Sequence, residues 1–189
     1  MKINNIKKAY LIGIKGAGMV GAAQILHSRN IMISGSDTGE VFYTDAILKR
    51  SKIPFYENFV LEHVPRDADL VIYSTAYNEK NNKEIAEAKK LGIPLISYPE
   101  ILGMLLKEKL GIAVCGTHGK TTTSAILAEA LLSSGLDPSA IIGSQVISWQ
   151  GSALVGKGDY FVAEADEYQN KLILTKGKEL VFLNIERVF

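Results

Sequence analysis

Long apolar runs are missing: no stretch of the 189 residues reaches the roughly 18 uncharged apolar residues that a membrane-crossing helix needs. A charge imbalance is missing too. Lys and Arg number 21 against 20 Asp and Glu, a net charge of +1, and the basic residues are scattered. That removes the electrostatic footprint of a nucleic-acid partner or an anionic membrane surface and favours small or neutral-surfaced partners. One cysteine, Cys115, excludes an intramolecular disulfide and fits a reducing compartment, the cytoplasm. Internal repeats and low-complexity segments are absent as well. What is present is an ordinary globular composition, 47% hydrophobic and 22% charged, enough for one large domain or two small ones with a sizeable core.

The opening "MKINNIKKAYLIGIKGAGMVGAAQIL" has lysines ahead of an apolar run, as a secretory leader does. Lys15 interrupts that run, and its glycines are spaced for another purpose. Along the chain, apolar runs of strand length alternate with stretches of helical period, the pattern of a parallel α/β sheet. Strands are expected at "AYLIGI", "IMISGSD", "DLVIYSTA" and "IPLIS", with helices over 19–28, 43–51, 83–92 and 99–111. Gly92 and Gly111 sit where helices stop. At "GIAVCG" the pattern restarts with a strand, a glycine loop and a helix halted by Gly135, followed by strand-like runs at "YFVAEAD" and "ELVFLNIE". The expected fold is therefore α/β: a Rossmann-like parallel-sheet N-terminal domain over 1–110, then an incomplete P-loop α/β domain over 111–189.

Gly16, Gly18 and Gly21 fit GxGxxG between a predicted strand and a predicted helix. Such a loop lets the backbone approach a diphosphate and turns the free N–H groups of a helix N-terminus toward the anion. Asp37 follows about 21 residues after Gly16, where an acidic side chain commonly meets a ribose hydroxyl. NAD and a uridine diphosphate share this physics, and the same glycines also serve close helix packing. The loop alone leaves these open.

"CGTHGKTTTS" carries the functional end of a Walker A loop, but only Thr117 and His118 separate Gly116 from Gly119-Lys120, where four residues are usual. Amides around Gly119 can form an anion nest, Lys120 can reach the β- and γ-phosphates, and Thr121 can offer a hydroxyl to Mg²⁺. His118 is either a loop residue bonded to backbone or a donor to phosphate or substrate. "FVAEADEYQ" puts Glu164, Asp166 and Glu167 at the carboxyl end of a strand, where P-loop proteins hold Mg²⁺. Strand alternation sets Glu164 and Asp166 on one side, with Glu164 the first choice for the metal, Asp166 the second, and Glu167 a solvated side chain. Tyr168 is expected to pack rather than react.

"GIKGAGMVG", "SGSD", "VIYSTA", "GTHGKTTT" and "VAEADE", in that order, resemble the Mur ligases over essentially the whole chain. The shortened loop with its histidine, together with "EADE", is the most specific part. The resemblance implies an N-terminal domain that binds the UDP part of a substrate through Gly16, Ala17, Gly18, Met19, Ser36, Asp37, Ser74 and Thr75. It implies a second domain that binds ATP through Gly116, Thr117, Gly119, Lys120, Thr121 and Thr122, with Thr121 and Glu164 on Mg²⁺ and His118 beside Lys120 in catalysis. Within the family the match is to the branch that joins L-alanine to UDP-N-acetylmuramate through an acyl phosphate in peptidoglycan precursor synthesis. A murein-peptide recycling ligase and a non-catalytic UDP-sugar-binding protein are the alternatives, and the second loop argues against an oxidoreductase.

Departures accompany the match. Lys15 stands where the family usually has glycine, Ala9-Tyr10 where a histidine is common, and "NIERVF" where the family continues toward a second-metal histidine. The expectation is a chain that lacks the family's third domain and does not turn over alone.

Overall fold

The computed structural model describes residues 2–116 and 118–165 in full and 180–185 as backbone. Its contacts divide the chain into two compact units, residues 1–101 and 102–189. The sequence pattern restarts at 111; the contacts divide within a helix, where hydrophobic periodicity runs on without a break.

The first unit alternates strand and helix: β1 (Lys8–Ile12), α1 (Ala17–Ser28), β2 (Met32–Ser36), α2 (Tyr43–Arg50), β3 (Phe55–Tyr56), β4 (Leu70–Tyr73), α3 (Lys83–Lys90), β5 (Leu95–Ser97) and α4 (Tyr98–Lys107). The five strands form one sheet in the order β3-β2-β1-β4-β5, and every pairing is parallel. Ala9, Tyr10, Leu11 and Ile12 of the central strand are wholly buried. This is why "AYLI" reads as a continuous apolar run and not as an alternation: a parallel strand covered on both faces has no wet side. The Asn82 side chain caps α3 by accepting the Glu84 amide at 2.9 Å, and Gly92, with φ +71°, follows its end. Two-residue β3 carries too short a signal to read from sequence.

The second unit contains β6 (Leu110–Gly116), α5 (Lys120–Ser133), β7 (Ser139–Val146), β8 (Gly151–Leu154), β9 (Tyr160–Glu164) and β10 (Leu180–Ile185). Its sheet runs β10-β6-β9-β7-β8, parallel except for β8, which pairs antiparallel with β7. Three strands were expected here and five are found among the described residues. "SAIIGSQV" and "GSAL" escape notice because Gly143, Ser144 and Gln145 break the apolar run, and the register shifts between Ile141 and Val146. Val114, Ala128, Ala140 and Val162 form the buried centre between α5 and the sheet, with Trp149 packed against them. The Trp149 indole donates to Glu129 at 2.7 Å, tying the turn after β7 to α5. Among the described residues no helix is long and apolar enough to cross a membrane.

In the first sheet Gly35 pairs with Leu11, and an added Cβ would overlap the Leu11 carbonyl and lie 2.8 Å from the Ile14 side chain. Backbone cannot yield as a flexible side chain can. Gly35→Ala is expected to destabilise the first unit by about 1–3 kcal/mol, as overpacking does. Urea unfolding checks this as a lower midpoint at unchanged slope.

Candidate functional site

In the first unit the sheet order changes direction at β1, so the loops after β1, β2 and β4 open at one edge, the place where α/β sheets bind ligands. A cavity of about 330 Å³ lies there, and Gly16, Ala17, Asp37 and Ser74 line it together. Gly13, not one of the GxGxxG glycines, makes the sharp turn out of β1, with φ +80°. A Cβ there would come within 2.8 Å of both Ser74 and the Tyr77 ring, so only glycine lets the loop sit against the β4 turn.

Asp37 is buried and engaged on both oxygens. Oδ2 accepts the Lys15 amide at 2.7 Å, and Oδ1 accepts the Thr38 amide at 2.8 Å with the Tyr77 hydroxyl at 3.5 Å. Burial, and after it the Asp37 charge, pushes the Tyr77 phenol above its ordinary value, so it stays a neutral donor. The other sequence-predicted positions lie around this cavity differently. Met19 is in the core, Thr75 is exposed, and a side chain on Gly18 would overlap the Tyr98 hydroxyl.

Ser36 is wholly buried, and its hydroxyl donates to the Glu84 carboxylate. Glu84 also accepts the Val60 amide at 2.9 Å and the Tyr10 hydroxyl at 3.3 Å, with His63 Nδ1 at 3.6 Å. One carboxylate thereby joins the end of β2 to β1, α3 and the segment before His63. From "KEIAEAKK" it reads as a solvated helix glutamate; only the pairing of β1 with β2 and β4 puts it inside.

In the second unit β6 ends at Gly116 (φ +135°), and α5 is capped by Gly119 in the left-handed conformation (φ +77°). These glycines let the chain reverse from strand to helix in so few residues. Lys120 folds back, its Nζ donating to the Gly116 carbonyl at 2.7 Å. Thr121, one residue into the helix, donates its hydroxyl to Glu164 Oε1 at 2.8 Å. Glu164 ends β9 directly opposite Val114 of β6, so strand register sets the carboxylate beside the loop. Its Oε2 accepts the Gly143 amide at 2.7 Å. Gly143 is a site residue the sequence did not point to, although an isolated glycine after "AII" is a bulge signal. A Cβ there would lie 2.7 Å from Glu164 Oε2. His118 and Thr122 are exposed. Thr117, Asp166, Glu167 and Tyr168 lie outside the described residues.

The Thr121 hydroxyl and Glu164 carboxylate are hard oxygen donors beside the loop that carries Lys120, a set that fits Mg²⁺ better than a softer metal.

Fold and loops together define an α/β protein with two glycine-loop sites, one in each unit. A model of the Mur ligase family, catalytic domain, matches residues 8–110, and the chain belongs to that family. The UDP-N-acetylmuramate–L-alanine ligase of Desulfitobacterium hafniense is 48% identical over 178 residues, covering 94% of this chain and 39% of that protein. The enzyme of the same name from Borreliella burgdorferi is 38% identical over 188 residues, covering 97% and 40%. The chain thus spans about two-fifths of the length of the curated relatives it matches. Among solved structures, UDP-N-acetylmuramate-alanine ligase MurC of Thermotoga maritima is similar with TM-score 0.76 and 28% identity, over 83% of this chain and 37% of that one. UDP-N-acetylmuramate:L-alanyl-gamma-D-glutamyl-meso-diaminopimelate ligase of Neisseria meningitides is similar with TM-score 0.79 and 29% identity, over 96% and 61%.

Burial lifts the Glu84 carboxyl above the ordinary glutamate value of 4.5, with hydrogen bonds from Ser36, Val60 and Tyr10 opposing the shift. The native state therefore holds this proton more tightly than the unfolded chain. Its contribution to stability is fully present below the unfolded value and falls as pH rises through the raised native value. Glu84→Gln removes that dependence, so the wild-type urea midpoint is expected to fall relative to the variant's as pH is raised from about 4.

Proposed function

We propose that this chain carries the UDP-substrate site and the ATP site of an ATP-dependent ligase that joins L-alanine to UDP-N-acetylmuramate. The observation that carries the proposal is the Thr121–Glu164 contact beside the Lys120 loop, which pairs a helix hydroxyl with a strand-end carboxylate as P-loop phosphoryl transfer requires. The amino acid is argued from similarity: the relative at 48% identity is an L-alanine ligase. The likeness to the Neisseria ligase supports a second reading, addition of a murein peptide to the same UDP-sugar.

On this proposal the first unit holds the UDP moiety in the cavity bounded by Gly16, Ala17, Asp37 and Ser74, with the amides at the start of α1 facing the diphosphate. Gly18, Met19, Ser36 and Thr75 flank that site, with Ser36 acting from inside through Glu84. In the second unit Gly116, Thr117, Gly119, Lys120, Thr121 and Thr122 take the triphosphate. Lys120 exchanges the Gly116 carbonyl for a phosphate oxygen. Thr121 and Glu164 would hold Mg²⁺, which supplies charge neutralisation. His118, exposed in the loop, is available to the substrate carboxylate and γ-phosphate.

The carboxylate of the UDP-sugar attacks the γ-phosphorus and ADP leaves. The L-alanine amine then attacks the acyl phosphate carbonyl, and the tetrahedral adduct expels phosphate as the amide forms. Three anionic groups must meet for this, so the work of the protein is positioning and charge neutralisation. A cytoplasmic location follows from its substrates.

Lys120→Ala in the full polypeptide that carries this chain is expected to lower alanine-dependent phosphate release at least about a hundredfold. UDP-substrate binding, measured by calorimetry, is expected to hold. Equal loss of both would overturn the division between the two units.

A further inference from the structure

A lysine inside a glycine loop invites assignment as the cation for a diphosphate, but the Lys15 ammonium goes elsewhere. The side chain is fully buried, 3.2 Å from Asp45 Oδ2. Its Nζ donates to the Glu40 carbonyl at 2.8 Å and approaches Glu57 at 3.5 Å. The Lys15 amide donates to Asp37 at 2.7 Å, and its carbonyl accepts the Thr44 hydroxyl at 2.6 Å. Three groups of one residue thus fasten the chain between Asp37 and Asp45 to the glycine loop.

That fastened segment is a wall of the 330 Å³ cavity, to which it contributes Asp37, Phe42, Tyr43 and Thr44. Phe42 and Tyr43 remain 41% and 47% exposed, so core packing does little to fix them. Asp45 Oδ1 is buried with no hydrogen-bond partner among the described residues, which leaves this carboxylate dependent on Lys15.

We infer that Lys15 is a positioning residue: its buried ammonium, paired with Asp45, holds the Asp37–Asp45 wall of the nucleotide cavity in binding geometry without contacting the ligand's phosphates. This rests on the proposal above that the cavity takes a UDP moiety. A wall fixed in advance spares the ligand the cost of ordering it.

Calorimetry with UDP on the chain separates this role from direct contact. Lys15→Met is expected to weaken UDP about tenfold, the scale of losing a supporting partner behind a binding group. Asp45→Asn is expected to weaken it in the same direction, and the double variant to be no worse than Lys15→Met alone. A lysine that touched the phosphates would behave oppositely, because Asp45→Asn would release the ammonium and tighten UDP. Thr44→Val, which cuts the carbonyl tie and leaves the ion pair, is also expected to weaken UDP. If Lys15→Met fails to fold by urea unfolding, Asp45→Asn and Thr44→Val carry the test by sign. In the full polypeptide the Lys15→Met loss is expected in KM for the UDP substrate and not in KM for ATP. UDP binding that is tightened or unchanged in Asp45→Asn, or additive losses in the double variant, would overturn the inference alone. Absence of UDP binding by the wild-type chain would overturn the cavity assignment and the inference together.

Discussion

A parallel strand buried on both faces can offer chemistry only where it ends. Ala9–Ile12 and Leu70–Ile72 in one unit, and Ala113, Val114, Val162 and Ala163 in the other, have almost no exposed surface. A polar group inside such layers must find a protein partner, as the Tyr10 hydroxyl does in Glu84, or cost about 1–3 kcal/mol. The candidate site residues are accordingly those at and beyond the strand ends: Gly13, Asp37 and Ser74 after β1, β2 and β4, and Gly116 and Glu164 at the ends of β6 and β9. Because the strands run the same way, these ends share one edge of each sheet, and residues far apart in sequence meet. Thr121 and Glu164 are 43 positions apart and touch for this reason.

Four charged side chains are nevertheless buried among the described residues, Lys15, Asp37, Asp45 and Glu84, and two of them act as fasteners. Lys15 and Glu84 are buried, and each collects several partners from separate elements. Buried ion pairs seldom add net stability over apolar packing, yet removing one partner typically costs about 3–5 kcal/mol. They are therefore better at fixing which segments lie together than at raising stability. Glu84 fixes the end of β2, whose next residue, Asp37, lines the cavity; Lys15 fixes the chain that follows it. Both sides of the Asp37 wall are held by buried charges: Lys15 borders the opening but its side chain has no exposed surface, and Glu84 does not line it.

The same contrast explains what was legible in the sequence. The strand–helix alternation, the helix stops at Gly92 and Gly135, and both glycine loops could be read because each depends on neighbours a few residues away. The position of Glu164 at the end of its strand needed only the length of that strand. What could not be read depends on partners in other elements. Ser36 reads as a strand-end residue beside Asp37 suited to the UDP site, but its hydroxyl is committed to Glu84, 48 positions later. Glu84 itself lies in a polar helix segment that gives no sign of burial. Gly143 breaks the strand pattern that would have revealed β7, and that interruption lets its amide brace Glu164. A local irregularity hides the element from a periodicity argument and at the same time supplies the contact to Glu164.

In the loop before α5, the groups suited to a nucleotide are bonded to each other. Lys120 holds the Gly116 carbonyl, Thr121 holds Glu164, and Glu164 holds the Gly143 amide. On the proposed function a triphosphate would not meet bare charges; it would exchange one set of hydrogen bonds for another, with affinity the difference between them. The exchange favours the ligand only if what replaces the Gly116 carbonyl is a stronger acceptor for an ammonium, as an anionic phosphate oxygen is. Charge separates ligands here: a neutral acceptor gains little over the carbonyl it displaces, whereas an anion gains the full difference. The shortened loop reaches this state with two residues fewer than the common version, because Gly116 and Gly119 adopt positive φ and bring the lysine back over the strand end.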